Sequence, residues 1–281
     1  MKKALDQMYP LKSPCSDSMP PLFYQYFWHV VGDSVVNYVI NFLNTSVAPP
    51  NFHDTHIVLI PKVKSPTKVS EYRPISLSNV IYKLASKVLA NRFKTLIPSL
   101  ITEYQSAFLL ERLITNNVLV AFEIMNSISQ KRSGKIGVMA SKFDMSKAFD
   151  RVEWSFLEKI MTKMGFHPRW MSMVMSCVTS VTYSICINGI PQGHITPSRG
   201  LRQGDPLFAY LFLLCVESLS ALLHRASEAG TLRGLQFARE ALTSLIFSLP
   251  MTAFSFVMLP LQTMKKSKDC CWSMKEQLGS M

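Results

Sequence analysis

The chain has 281 residues, 48% of them hydrophobic, enough to bury a core of one large or two small domains and too many for a disordered polymer. Thirty Lys and Arg against 18 Asp and Glu leave a formal charge of +12, which favours a polyanionic partner and excludes an acidic surface. The six cysteines (Cys15, Cys177, Cys186, Cys215, Cys270, Cys271) show no CxxC zinc spacing and read as reduced thiols; with no secretory signal after the N-terminal lysines, an intracellular protein is expected, nuclear or cytoplasmic.

In chain order, the apolar spacing over residues 21–46 predicts a helix ahead of the Pro49-Pro50 break, scaffold in character. Residues 56–63, HIVLIPKV, read as a strand, followed by a loop made basic by Lys62, Lys64 and Lys68. Pro74 biases Arg73 towards an extended backbone, and the arginine fork suits a phosphate. An amphipathic helix follows, with Ile81, Leu84, Ala85, Val88 and Leu89 on one face and Lys83, Lys87 and Arg92 on a cationic outer side. Further helices are predicted over 113–125, 153–164 and 169–177. IGVMASKFD reads as a buried strand ending at Asp144, VTYSICI as another, with Asn188-Gly189 as a hairpin turn. Gly200 to Pro206 is a polar loop opening the apolar helix LFAYLFLLCVESLSALL. Strands set among helices imply an α+β domain.

Three constellations carry chemistry. In KFDMSKAFDRVEW a strand delivers Asp144 to a polar turn, a position suited to a hard cation such as Mg²⁺ completed by water and phosphate oxygens; Asp144 and Ser146 equally read as helix caps. In SRGLRQGDPLFAYLF, Gly200 and Gly204 allow close backbone approach, Arg199, Arg202 and Gln203 offer donors to phosphates or bases, and Asp205 caps the next helix with Pro206 at its start. The third is the lysine-dotted loop leading to Arg73. Residues 241–264 carry no charge and are long enough to span a bilayer, although Pro250 and Pro260 interrupt them; a membrane-anchored protein is the reading they would support alone.

The ordered set IVLIPKVKSPTKVSEYRPISL, YKLASKVLANR, QSAFLLERLITNNVLVAFE, KFDMSKAFDRVEW and RGLRQGDPLFAYLFLLCVE resembles the fingers and palm of LINE-type (non-LTR) retrotransposon reverse transcriptases, in the form common in plants, from roughly residue 21 to 239. The resemblance implies a right-hand polymerase with fingers and a partial palm, its Asp-Asp hairpin and thumb missing. It divides the chain into an N-terminal helical extension (1–50), a fingers-like region (51–135), a partial palm (136–239) and an aberrant hydrophobic and basic tail (240–281). It further implies that Asp144 is a catalytic ligand of Mg²⁺, that backbone near Lys147 and Ala148 holds the incoming triphosphate, and that Phe149 is the steric gate against a ribose 2′-hydroxyl. Gln203 and Gly204 would line the nucleotide pocket, Arg73 would contact the triphosphate, and Asp150 would be no metal ligand. The implied partners are an RNA template, a DNA primer and dNTPs, with no membrane expected among them. Asp144 is therefore expected to end a central strand close to Gln203 and Gly204. Lys62, Lys64, Lys68, Arg73, Lys83 and Lys87 are expected to form one cationic face.

The sequence departs from the family at Leu110-Glu111-Arg112, at Asn116 and at Phe208-Ala209, where Ser-Pro is usual. One absence governs activity. Two-metal phosphoryl transfer needs carboxylates beyond Asp144, which the family supplies from a Phe/Tyr-Ala-Asp-Asp hairpin, yet no Asp occurs between Asp205 and Asp269. Read from the third base of each codon, Met251-Thr252 must give Asp, and Leu249-Pro250 gives Ala-Asp for codons ending in G. The forced codons downstream, Asp269-Cys270-Cys271-Trp272 and Met274-Lys275, give Leu-Leu-Leu and Glu, similar to the family's residues there. A frame change near residues 239–241 accounts for the uncharged run, and the chain is expected to be a defective polymerase. The alternative is a non-catalytic nucleic-acid-binding remnant.

Overall fold

The computed structural model describes residues 1–13, 17–102, 105–106, 108–109, 112–130, 139–143, 147–230, 246–249 and 252–257. In chain order the elements are α1 (Lys2–Asp6), α2 (Pro21–Tyr26), α3 (Trp28–Thr45), β1 (Asp54–Pro61), β2 (Tyr72–Ser78), α4 (Val80–Leu100), α5 (Ile114–Gln130), β3 (Met139–Phe143), α6 (Trp154–Lys163), α7 (Pro168–Thr179), β4 (Thr182–Ile187), β5 (Ile190–Ile195), α8 (Phe208–Glu228), β6 (Ile246–Leu249) and β7 (Thr252–Val257). The helix expected over 21–46 is thus two helices, broken at Phe27, and α3 ends on Ser46 in the left-handed conformation. The other expected elements form within a few residues of their expected limits, apart from α5, which runs on to Gln130. The stretch around Arg73, read as a loop with extended backbone, is strand β2: its backbone gains a partner in β1, where Arg73 lies opposite Ile60.

The elements fall into two compact units. One contains residues 1–96 and 149–212, the other 97–148 and 213–281. The first is built on a four-stranded sheet of order β2-β1-β4-β5, with β1 antiparallel to β2 and parallel to β4. Asn188 and Gly189 both have positive φ (51° and 82°), the signature of the two-residue hairpin turn that reverses β4 into β5. Helix α4 runs through this unit's core. Near its start, Tyr82 packs edge-on to Phe52 (5.6 Å between ring centres) and His53 (5.0 Å), while Phe42 of α3 closes on Phe52 at 4.8 Å. Further along, Phe93 stacks on Phe166 (5.4 Å) and lies against Trp170 of α7 and Tyr210 of α8. Each such fully buried ring is worth about 1.5–3 kcal/mol in surface removed from water.

This wrapping overturns one expectation. Lys83 is not on a cationic outer side; it is only 3% exposed, and its ammonium donates to the Ser13 carbonyl oxygen at 3.3 Å. The N-terminal segment covers that face of α4, and Gln7 accepts from Asn91, about two turns further along, at 3.0 Å. A long lysine stem can be buried in this way when its head finds an acceptor.

The second unit has a three-stranded antiparallel sheet of order β3-β7-β6. Phe143, the last residue of β3, pairs with Ala253, and Leu249 pairs with Thr252, so the end of β3 lies beside the paired ends of β6 and β7. The described part of the uncharged run 241–264 is therefore strand, where a membrane span would be helix. One helix among the described residues, α8, is long and apolar enough to cross a membrane; its Leu211, Leu213, Leu214 and Leu223 are buried against the protein. Within this unit Glu217 accepts from the Thr102 amide at 3.2 Å, and burial raises its carboxyl above the usual range despite that bond. Arg112 donates to the carbonyl oxygens of Thr102 and Gln105, both at 2.6 Å.

Candidate nucleotide site

In the first unit the glycine loop is joined to the turn that follows the Asp144 motif. Residues Ala148–Arg151 form one 3₁₀ turn, after which Gly200 donates its amide to the Val152 carbonyl oxygen at 2.7 Å and Leu201 donates to that of Phe149 at 2.9 Å. Trp154, at the start of α6, donates its indole N–H to the Gly200 carbonyl oxygen at 2.8 Å. Gly200 has φ +92°, and a Cβ there would sit 3.0 Å from the Asp150 carbonyl oxygen, so the approach of the two backbones requires glycine. Arg199 is drawn to Glu153 at 3.1 Å on the surface.

Four of the sequence-derived site residues, Arg73, Phe149, Gln203 and Gly204, belong to this unit. Phe149 packs its ring 4.4 Å from Phe208 and 4.4 Å from Phe212. Phe208 is one of the two residues replacing the family's usual Ser-Pro, so this departure bears directly on Phe149. Gln203 is half-buried and Gly204 exposed with φ +93°; a Cβ on Gly204 would lie 3.7 Å from the Ser76 carbonyl oxygen, which sets the loop against β2. Arg73, on the same strand, is exposed. Lys147 is exposed with φ 53°, Ala148 is buried, and both belong to the other unit, running directly into Phe149. Asp144 lies outside the described residues, as do Ser146 and the Leu110-Glu111 departure, and its expected nearness to the glycine loop lies outside them too.

Two residues behave differently from their sequence reading or beyond it. Arg202, expected to offer donors to phosphates or bases, is turned inward and only 7% exposed. Its guanidinium carbon lies 4.2 Å from the centre of the Tyr82 ring. None of its three nitrogens makes a well-formed hydrogen bond among the described residues, although the Tyr183 hydroxyl comes close. Burial works against its charge, and Tyr82, Asp205, Tyr183 and Cys177 outweigh that, leaving the guanidinium firmly protonated. No periodicity or motif signals this inward turn, because the residue that receives Arg202 is on α4, far away in the chain. Asp205, expected to cap a helix starting at Pro206, lies in the turn ahead of α8, which starts at Phe208; its carboxylate accepts from the Leu207 amide at 2.8 Å within that turn, and it also accepts hydrogen bonds from the Tyr82 and Ser86 hydroxyls. The hydroxyl contacts were not legible in the sequence. Tyr82, Cys177, Tyr183, Arg202, Asp205 and Leu207 line a cavity of about 20 Å³, room for a single water. Burial pushes the Cys177 thiol far up, so it is no nucleophile at neutral pH.

The implied metal finds no support among the described side chains. No group of three His, Cys, Asp or Glu converges there, and Asp205 is already held by three donors. Asp150 is exposed, and what packs against Gly200 is its backbone.

A mixed sheet backed by helices, with a positive-φ glycine loop hydrogen-bonded to the turn after a strand-end carboxylate motif, defines the fingers-and-palm class of polymerase fold. Among solved structures the fold is similar to apo telomerase from Candida tropicalis truncated from its C-terminal domain: TM-score 0.51, 14% identity, 86% of this chain and 51% of that one. Over residues 60–239, more than half of its length, the chain matches the family described as reverse transcriptase (RNA-dependent DNA polymerase), and it belongs to that family. Its relatives are of non-LTR type. It is 26% identical over 225 residues to the transposon TX1 uncharacterized 149 kDa protein of Xenopus laevis, covering 80% of this chain and 17% of that protein. It is 24% identical over 222 residues to the Pol polyprotein of the type-1 retrotransposable element R2 of Nasonia vitripennis, covering 79% and 20%. The chain is thus a LINE-type reverse transcriptase domain that spans about a fifth or less of these relatives' length. Reverse transcriptases as a family depend on a divalent metal.

Proposed function

We propose that this chain carries the nucleotide-binding wall of an RNA-directed DNA polymerase, with an RNA template, a DNA primer and dNTPs as partners, and that in its present frame it does not complete DNA synthesis. The observation that carries the first half is the hydrogen-bonded junction between the Phe149 turn and the glycine loop, with Gly204 set against the strand of Arg73. On this reading Gln203 and Gly204 line the pocket for the incoming base and sugar, Phe149 bounds the sugar, and Arg73 meets the triphosphate. The Lys147–Ala148 backbone holds the phosphates, and Asp144 is the one Mg²⁺ ligand this frame encodes. Lys62, Lys64, Lys68 and Arg73, all exposed around the β1–β2 hairpin, supply a basic surface for nucleic acid; Lys83 is no part of it, and Lys87 is half-buried on α4.

The second half rests on the missing carboxylates. With a single Asp the two cations of phosphoryl transfer cannot be held together. What supports the frame-change explanation is the β6–β7 hairpin. Its paired ends, Leu249 and Thr252, bracket the codons that spell Ala-Asp-Asp in the shifted frame, and Ala253 beside them pairs with Phe143, which precedes Asp144 in the chain. The competing reading, a nucleic-acid-binding remnant without chemistry, shares the basic surface and differs in what a restored frame would do.

Primer extension with Mg²⁺ and dNTPs separates them, run on this chain and on a frame-corrected chain continued past Met281. This chain is expected to extend nothing and the corrected chain to extend. Synthesis by the chain as it stands would refute the defect, and a genomic sequence lacking Ala-Asp-Asp in the shifted frame would refute its cause.

A further inference from the structure

We propose that Arg202 and Asp205 form a two-point clamp on Tyr82 that positions Gln203 and Gly204, making Arg202 a positioning residue for the nucleotide pocket; the functional consequence rests on the pocket reading above.

The geometry is that of one ring holding both ends of a short loop. The face of Tyr82 receives the Arg202 guanidinium at 4.2 Å, and its hydroxyl donates to Asp205. Ser86, one helical turn further along α4, also donates to Asp205, and its hydroxyl oxygen accepts from the Leu207 amide at 3.2 Å. Only Gln203 and Gly204 separate the two anchors. With both ends fixed on a buried helix, two residues have little freedom to drift, and Gly204 is held close enough to β2 that a Cβ on it would lie 3.7 Å from the Ser76 carbonyl oxygen.

The choice of residue carries the inference further. Burying a guanidinium is costly, and arginine cannot escape by losing its proton. The desolvated cation–π contact and the charge of the Asp205 carboxylate offset part of that cost. An apolar side chain of the same length would fill this space at lower cost, with no charge to desolvate. What it would lack is attraction to both the ring face and the carboxylate, which fixes where residue 202 sits. The arginine therefore trades stability for loop geometry, a pattern expected at a binding site.

The test uses the full chain and two readouts. Amide hydrogen exchange at Gln203, Gly204 and Asp205 is compared between the unaltered chain, Arg202→Met and Tyr82→Phe, with α6 and α7 as internal reference. Titration with a fluorescent deoxynucleoside triphosphate follows the pocket. Arg202→Met is expected to speed exchange in the loop about tenfold while α6 and α7 stay unchanged, and to weaken nucleotide affinity by a similar factor, with Arg202→Lys recovering only part because it lacks the planar face. Tyr82→Phe keeps the ring and removes the hydroxyl, so it should loosen the Asp205 end alone, and it carries the test if Arg202→Met does not fold. Loop exchange that is unchanged, or that rises only in step with α6 and α7, overturns the clamp. An unaltered chain that binds no nucleotide overturns the pocket reading instead, and the exchange data then still decide the clamp.

Discussion

Replacing His53 with phenylalanine isolates one buried titration. His53 is only 4% exposed, is enclosed by the rings of Phe42, Phe52 and Tyr82, and has no hydrogen-bond partner for either nitrogen among the described residues. Burial, with a smaller contribution from the Arg202 charge, lowers its pKa from 6.5 to about 3. The folded protein thus holds a neutral imidazole, whereas the unfolded chain takes up a proton below about pH 6.5. Stability is therefore full above that value and falls as the pH drops towards 3, by about 1.4 kcal/mol per pH unit. Between pH 7.5 and pH 5 the loss attributable to His53 is about 2 kcal/mol. Urea unfolding at both pH values measures it. His53→Phe, with no proton to bind and no unpaired nitrogen to bury, should be as stable as the unaltered chain or more so at pH 7.5, and should lose about 2 kcal/mol less on acidification. The other titratable groups are common to both proteins and cancel in the comparison. Parallel stability–pH curves for the two proteins would show that His53 titrates normally and refute the reasoning.

Other substitutions test the site more locally. Gly200→Ala forces a side chain into φ +92° and to within 3.0 Å of the Asp150 carbonyl oxygen, and should cost about 2–4 kcal/mol in urea unfolding, where a change below about 1 kcal/mol would mean the backbones can part. Asp205→Ala removes the acceptor of the Leu207 amide in the turn before α8 and of the Tyr82 and Ser86 hydroxyls, for an expected loss of about 3 kcal/mol by the same measurement. Changing Lys62, Lys64 and Lys68 together to glutamate should weaken RNA binding at low salt and flatten the slope of log affinity against log salt by about three; Lys83→Met should leave that slope untouched, since its ammonium is turned inward. Filter binding over a salt series reads both, and an equal effect of Lys83→Met would return it to the cationic face.

Much of the fold and part of the site were legible in the sequence because they rest on local chemistry. Helical spacing marked α3, α4, α6 and α7, the Asn188-Gly189 pair marked the turn between β4 and β5, and Asp205-Pro206 marked the turn that leads into α8, since each signal is complete within a few residues. The motif order carried the family, which the match over residues 60–239 bears out. What only the tertiary structure decided depends on partners far away in the chain. A helix period reports one apolar face, so it could not show that the N-terminal segment covers α4 on another side and buries Lys83. The residues around Arg73 carry a proline and lack strand alternation, and they became β2 because β1 supplied a ladder to pair with. Arg202 looked like a surface donor because nothing beside it in the chain would hold it; Tyr82, on α4, draws it inward, since a charge leaves water only where folding has already gathered the ring and the carboxylate that replace its hydration.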